Sequence, residues 1–287
     1  CSNRKGGTEM IPEKLKTWTS SRAKAQLQFN QWNGDENAVV LDTETTGLWN
    51  AEIVDIAVID MSGKPLLNTL VKPKNSIPAG ATEIHGITNE MVAEAPFWPE
   101  VWEQLHPILK DKTVLIYNEE FDIRVMKESF FAWEDELGYD QVDEAIELID
   151  ELDSHCVMKE YAQLVGASKW LKLTEAVGRE IKHRALDDCL ATLEVVKKCY
   201  NLEFTEVDYY KIEAYEKYTE YKESLDWVME EIESLMRKYR YYHSQYQMYQ
   251  EILLDDRKLK EYIQSQKEVA ATIDDADEPI DDDDLPF

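Results

Sequence analysis

No apolar run in the 287 residues approaches the roughly 20 that a membrane-spanning helix needs, so no membrane segment is expected. No secretory signal peptide is evident either, and a start at Cys1 rather than Met points to a processed or truncated beginning. Cysteine is scarce. Cys1, Cys156, Cys189 and Cys199 form no C-x-x-C pair, which removes any zinc-finger signal. Cys189 and Cys199 fall in helical sequence and read as buried thiols, in keeping with a reducing cytoplasm. Positive charge is short as well: 31 Lys and Arg face 59 Asp and Glu, for a net charge of −28. A surplus of that sign repels polyphosphate and argues against non-specific duplex binding. Its distribution softens the objection. Residues 1–30 carry Arg4, Lys5, Lys14, Lys16, Arg22 and Lys24 against Glu9 and Glu13, whereas the last 14 residues carry eight acids and no base.

What is present is a length and a hydrophobic content (44%) that suit one α/β core with an accessory part. The core is organised around Val39-Val40-Leu41-Asp42-Thr43-Glu44-Thr45-Thr46-Gly47-Leu48. An apolar strand ends in two carboxylates two residues apart, which alternation places on one side of the sheet. Gly47 then permits a tight turn and close approach of a ligand to backbone. Two acids beside bare backbone suit a divalent cation and a phosphate, although a lone D-x-E is more often a solvated strand end. Two further clusters strengthen the first. Tyr117-Asn118-Glu119-Glu120-Phe121-Asp122 follows the apolar strand Thr113 to Ile116, and His183-Arg184-Ala185-Leu186-Asp187-Asp188 reads as H-x-A-x-x-D at a helix entry.

In order and spacing, these three clusters and Ile84-His85-Gly86-Ile87-Thr88 resemble the DnaQ-like 3′–5′ exonucleases of the four-acids-plus-histidine subgroup (DEDDh) over about residues 36–200. The resemblance implies a ribonuclease H-like fold and two Mg²⁺ or Mn²⁺ ions about 3.5–4 Å apart. It implies Asp42 as their shared ligand, Glu44 and Asp188 on the nucleophile side, Asp122 on the leaving-group side and His183 as general base. The H-x-A-x-x-D spacing selects Asp188 over Asp187. Thr45, Thr46, Gly47, Leu48, His85, Asn118 and Phe121 are the expected substrate contacts. Tyr117 stands where the family often has His. Trp49 has two readings, a base-stacking ring or a packed turn residue; His106 and His155 read as structural.

In chain order, helix is expected from about Pro12 to Gln31, with Trp18 either on a nucleic-acid backbone or docked on the core. Strands follow at Ile53–Ile59 and Leu66–Val71, short helices at 80–94, and a helix from Pro99 to Leu109. Thr113–Ile116 is a strand, Glu120–Phe131 and Asp143–Ile149 are helices, a strand lies near Ser154–Val157, and a last core helix spans Ala185–Tyr200. The expected fold class is α/β, a five-stranded mixed sheet flanked by helices, with a long-helix extension. The expected domains are a basic arm at 1–35, an exonuclease domain at 36–203, a helical extension at 204–270 and an acidic tail at 271–287.

From Phe204 to about Gln266 there is no Gly and no Pro. Tyr218, Tyr221, Leu225, Val228, Ile232, Leu235, Tyr239, Tyr242, Tyr246, Tyr249 and Leu253 advance by three and four, a heptad over about 36 residues, or roughly 54 Å of helix. Such a seam is buried either in a homodimer or in a helical hairpin on the protein's own body. Tyrosine can also stack bases, but a stripe at helical spacing is more often packing. Asp255-Asp256 interrupts the repeat. The end, Asp281-Asp282-Asp283-Asp284-Leu285-Pro286-Phe287, closely resembles the C-terminal tip of bacterial single-stranded-DNA-binding proteins. That resemblance implies docking through Asp284, Leu285, Pro286 and Phe287 onto proteins that bind such tips. The alternatives are self-inhibition on the basic arm and a merely solvated tail. The expected activity is metal-dependent 3′–5′ hydrolysis of single-stranded DNA to nucleoside 5′-monophosphates. An exoribonuclease, or a recruitment protein dominated by tail and coiled coil, are the other readings.

Overall fold

The computed structural model describes residues 13–273. The elements run α1 (Glu13–Thr17), α2 (Ser20–Gly34), β1 (Ala38–Thr45), β2 (Ile53–Asp60), β3 (Pro65–Leu70), α3 (Ala79–His85), α4 (Trp98–Leu109), β4 (Thr113–Ile116) and α5 (Glu119–Phe131). They continue with α6 (Glu134–Leu137), α7 (Tyr139–Asp150), β5 (Asp153–Cys156), α8 (Val157–Val165), α9 (Leu173–Val177), α10 (Ala185–Lys198), α11 (Glu206–Leu254) and α12 (Asp256–Ile273). Two compact units divide at Glu216 and Lys217.

The first unit is built on one sheet in the order β3-β2-β1-β4-β5. The β1–β2 and β2–β3 pairs are antiparallel, while β4 runs parallel to β1 and β5 parallel to β4. This is the five-stranded mixed sheet of a ribonuclease H-like fold. Strand alternation sorts the core into two layers. Val39, Leu41, Ile56, Val58, Val114 and Ile116 face Trp98, Leu105, Phe130 and Ile149 of α4, α5 and α7. Val40, Ala57, Ile59 and Leu115 face Phe29, Trp32, Val157, Leu193 and Val196 of α2, α8 and α10. Ala185 and Cys189 are small enough to let α10 lie close on the sheet, where the Cys189 thiol reaches the carbonyls of Ala57 (3.4 Å) and Val40 (3.6 Å).

Several elements depart from the sequence expectation. The first helix breaks at Trp18-Thr19, because the Thr19 hydroxyl accepts from the Arg22 amide (3.2 Å) and caps a new helix there. That helix, α2, is no arm: Ala25, Phe29 and Trp32 are fully buried in the sheet's second layer. Trp18 stacks on Phe204 at 4.9 Å beside the buried Ile212 of α11, so the docked reading of Trp18 is the one realised. Helices α8 and α9 were not anticipated. In the second unit, α11 ends at Leu254 and α12 starts at Asp256, the place of the Asp255-Asp256 interruption. The chain turns back there, since Tyr249 and Tyr262 meet edge-on at 5.7 Å. Residues 281–287, with the tip residues Asp284 to Phe287, lie outside the described residues.

Candidate active site

Asp42 and Glu44 leave β1 on the layer that faces α10, and their partners across the ladder are Ala57 and Asp55. Glu44 and Asp55 thus stand side by side, a like-charge pair that is destabilising unless something answers it. Arg184 answers it. Its Nε donates to Asp55 Oδ2 at 2.7 Å, and Asp55 is only 1% exposed. Arg184 is also the N-cap residue of α10, so the ion pair pins the entry of the helix that carries Asp188. Asp122 comes from the first turn of α5 on the opposite layer. Its Oδ1 accepts from the Thr43 hydroxyl (2.6 Å) and the Thr43 amide (3.1 Å), which locks it onto the strand between the two β1 acids. His183 sits immediately before α10 with φ +26°, a left-handed backbone, and its Nδ1 lies 3.9 Å from Asp188 Oδ2.

The electrostatics follow from crowding. Burial first, and then Asp122, Asp188, Glu44 and Asp55, hold the Asp42 carboxyl well above the usual carboxylate range. Burial with Asp188, Asp55 and Asp122 pushes Glu44 up to about 8, against the lowering pull of Arg184. Asp122 is raised chiefly by burial, opposed by its two hydrogen bonds from Thr43. Burial likewise raises Asp188, opposed by His183. Four acids that all resist ionisation in one place lack a positive charge, and a cation supplies one. Ligand atoms of Glu44, His183 and Asp188 lie within 4.8 Å of one another, and the two carboxylates among them, with the crowded Asp42 and Asp122, offer the oxygen donors that suit a hard divalent ion. Asp188 Oδ1, moreover, is buried without a hydrogen-bond partner. Asp187 is half-buried beside it and outside that group.

A cleft of about 310 Å³ opens beside Thr43 and Glu44. Thr45, Thr46, Gly47, Leu48, His85 and Phe121 line it, together with Gly80, Ala81 and Ile84 from α3. Asn118 is exposed at the N-cap of α5 and does not line the cleft. His85 has both ring nitrogens engaged with backbone. The Ile87 amide donates to Nδ1 (3.0 Å), so Nε2 carries the proton and donates to the Thr45 carbonyl (3.2 Å). His85 therefore fixes the cleft wall. The rim loop is pinned from α5: Arg124 donates to the Leu48 carbonyl (3.0 Å), and Glu128 accepts from the Ala51 amide (2.9 Å). The Arg124 guanidinium also lies 4.6 Å over the exposed Trp49 ring. Sequence reading passed over Thr43, Asp55, Arg184 and Arg124. The traceable signal was a charged residue, Asp55, inside an otherwise apolar strand.

The family model described as Exonuclease matches residues 39–196, more than half of the chain. This chain belongs to that family. It is similar to the uncharacterized exonuclease CP81 of Escherichia phage 186, 37% identical over 190 residues that cover 62% of this chain and 91% of the phage protein. The DNA polymerase III epsilon subunit of Buchnera aphidicola is 29% identical over 34% of this chain. The chain spans 47% of that subunit's length. Among solved structures, an exonuclease X bound to 5′-overhanging duplex DNA is similar over 60% of this chain and 99% of its own, with 25% identity and a TM-score of 0.41. The exonuclease is thus a hydrolase of nucleic acid, with a carboxylate and histidine cluster of the DEDDh type.

Proposed function

We propose that the exonuclease digests single-stranded DNA from the 3′ end and releases nucleoside 5′-monophosphates. The observation that carries this reading is the convergence of Asp42, Asp122, Asp188 and His183 around Glu44, which itself lines the cleft. Asp42, Glu44, Asp122 and Asp188 would hold two Mg²⁺ or Mn²⁺ ions, which supply an acidified water and neutralise charge on the phosphate. The chain's own residues do the rest. Exposed His183, held near Asp188 at the head of α10, is placed to take a proton from water at its Nε2. Backbone at Thr45 to Gly47 approaches the terminal nucleotide, and Leu48 with Phe121 offers it apolar surface. The likeness to polymerase III epsilon subunits favours DNA over RNA as substrate.

The tip Asp284-Leu285-Pro286-Phe287 is proposed to dock on proteins that bind the tips of single-stranded-DNA-binding proteins, and the 218–253 heptads to join two copies of the chain. Matched 5′-labelled DNA and RNA oligomers, with Mg²⁺, with Mn²⁺ and with chelator, test the enzymatic reading. Shortening ladders on DNA that vanish with chelator and with Asp42→Ala are expected, and His183→Ala loses about 10²–10⁴ in rate. Degradation by Asp42→Ala at the wild-type rate refutes the site, and faster loss of RNA refutes the DNA preference. Removing 285–287 leaves activity on naked DNA unchanged and abolishes the docking. A rise in activity with no change in protein contacts supports self-inhibition instead.

A further inference from the structure

The second unit presents a seam without a partner among the described residues. Tyr221, Leu225, Val228, Ile232, Leu235, Tyr239, Tyr242 and Tyr246 are each 40–68% exposed along one helix, α11. Eight large side chains on a single stripe are far from the scattered apolar residues of an ordinary surface. The repeat is strictly three-then-four, which matches the 3.5-residue period of a left-handed coiled coil. The partner therefore has the same period, and a second copy of α11 has it by construction.

Charge decides the orientation. Between 217 and 233 the helix carries six acids and two bases, whereas between 234 and 250 it carries three bases and no acid. Two copies side by side in parallel set acid half on acid half. Two antiparallel copies set each acid half on a basic half. The flanks agree. With Tyr218, Leu225, Ile232, Tyr239 and Tyr246 at a, the g residues include Glu231 and Lys238, and the e residues include Lys222. Antiparallel pairing apposes Glu231 to the partner's Lys238 twice over, while parallel pairing apposes Lys217 to the partner's Lys222. Side-chain size agrees too. Parallel pairing stacks Tyr239, Tyr242 and Tyr246 each on its own copy. Antiparallel pairing seats Tyr239 on Val228 and Tyr242 on Leu225 around a central Ile232–Leu235 layer, large against small, leaving room for each phenol to reach the edge.

We propose that the exonuclease pairs through α11 with a second copy of itself in antiparallel register, centred between Glu233 and Ser234. This rests on reading the heptads as a self-association surface and adds the direction of pairing.

Light scattering on the full chain at tens of micromolar is expected to give twice the monomer mass, falling to the monomer mass for Ile232→Asp. Glu231→Lys is expected to weaken the dimer roughly fivefold, and adding Lys238→Glu to restore it, because only the antiparallel pair brings these two together. Pulsed electron-spin distances fix the direction. With labels on Glu223→Cys, in a chain whose Cys1 and Cys156 are serine, antiparallel copies are displaced by about 32 Å along the axis beyond the ~10 Å between helices. A distance above about 30 Å is expected. A dimer with its labels within about 25 Å is parallel and overturns the orientation while the seam stands. A monomer of unmodified mass at these concentrations overturns both.

Discussion

Glu44 and Asp55 face each other across the β1–β2 ladder with one guanidinium, that of Arg184, beside them. The pair Asp55–Arg184 is a positioning device rather than part of the reacting set, because Arg184 caps α10 and flanks His183. Arg184→Ala leaves a buried carboxylate without its cation. It is expected to cost about 3 kcal/mol, the low end for a buried pair, since Arg184 is partly exposed. Asp55→Asn is expected to slow turnover with KM nearly unchanged, and the double variant to be no slower than Arg184→Ala alone. Additive losses in kcat sink the idea that the two act as one clamp. Glu44 carries a second prediction. Its folded pKa, about 8, lies above the ordinary 4.5, so the folded chain binds more protons than the unfolded one between those values. Stability of the chelator-treated protein therefore falls as pH rises through that window. Glu44→Gln removes this contribution, and melting temperatures in chelator are expected to fall less from pH 5 to 8 than in the wild type. An identical slope in both proteins would falsify the burial account of Glu44.

Helix α2 shows how far an element can differ from its composition. Its bases, Arg22 and Lys24, lie on or near the surface, while Ala25, Phe29 and Trp32 fill the layer beneath β1 and β4. Asn33 ties it to the last turn of α10 through the Val196 carbonyl (2.8 Å), and Asn30 to the chain just after α10 through the Asn201 carbonyl (2.8 Å). Removing residues 1–35 is therefore expected to abolish folding, whereas removing residues 1–12 leaves this packing intact. Trp32→Ala alone is expected to lower stability by about 3–5 kcal/mol, measured by denaturant unfolding. A soluble, cooperatively unfolding 36–287 protein would show that α2 is dispensable. The sheet strands were legible because β1, β2 and β4 are short apolar runs bounded by turns. The helix around α2 was legible too, but its burial was not, because the bases and Trp18 fit a nucleic-acid contact and a docked helix equally well until the opposite surface is known.

At the scale of the molecule, the acids and His183 all lie before Glu216, in the first unit, and the seam lies after it. A chain ending at Ser224 is expected to keep wild-type hydrolysis per site on short single strands while running as a monomer. Loss of hydrolysis in a folded 1–224 protein refutes this separation. The sequence by itself determined the order of elements around the site and the four acids and histidine that converge there. Each rests on a local pattern: a strand running into D-x-E, a strand running into Asp122, an H-x-A-x-x-D at a helix entry. It also determined the period of the α11 seam, since periodicity is a property of one helix. Tertiary structure alone decided that Thr43 locks Asp122, that Arg184 answers Asp55, and that His85 spends both nitrogens on backbone. Those contacts join residues from 40 to 129 positions apart, apart from the local His85–Ile87 bond, and no spacing rule reaches so far. Which groups meet across the sheet depends on register and on how closely α10 settles over Ala57, and both are set by packing.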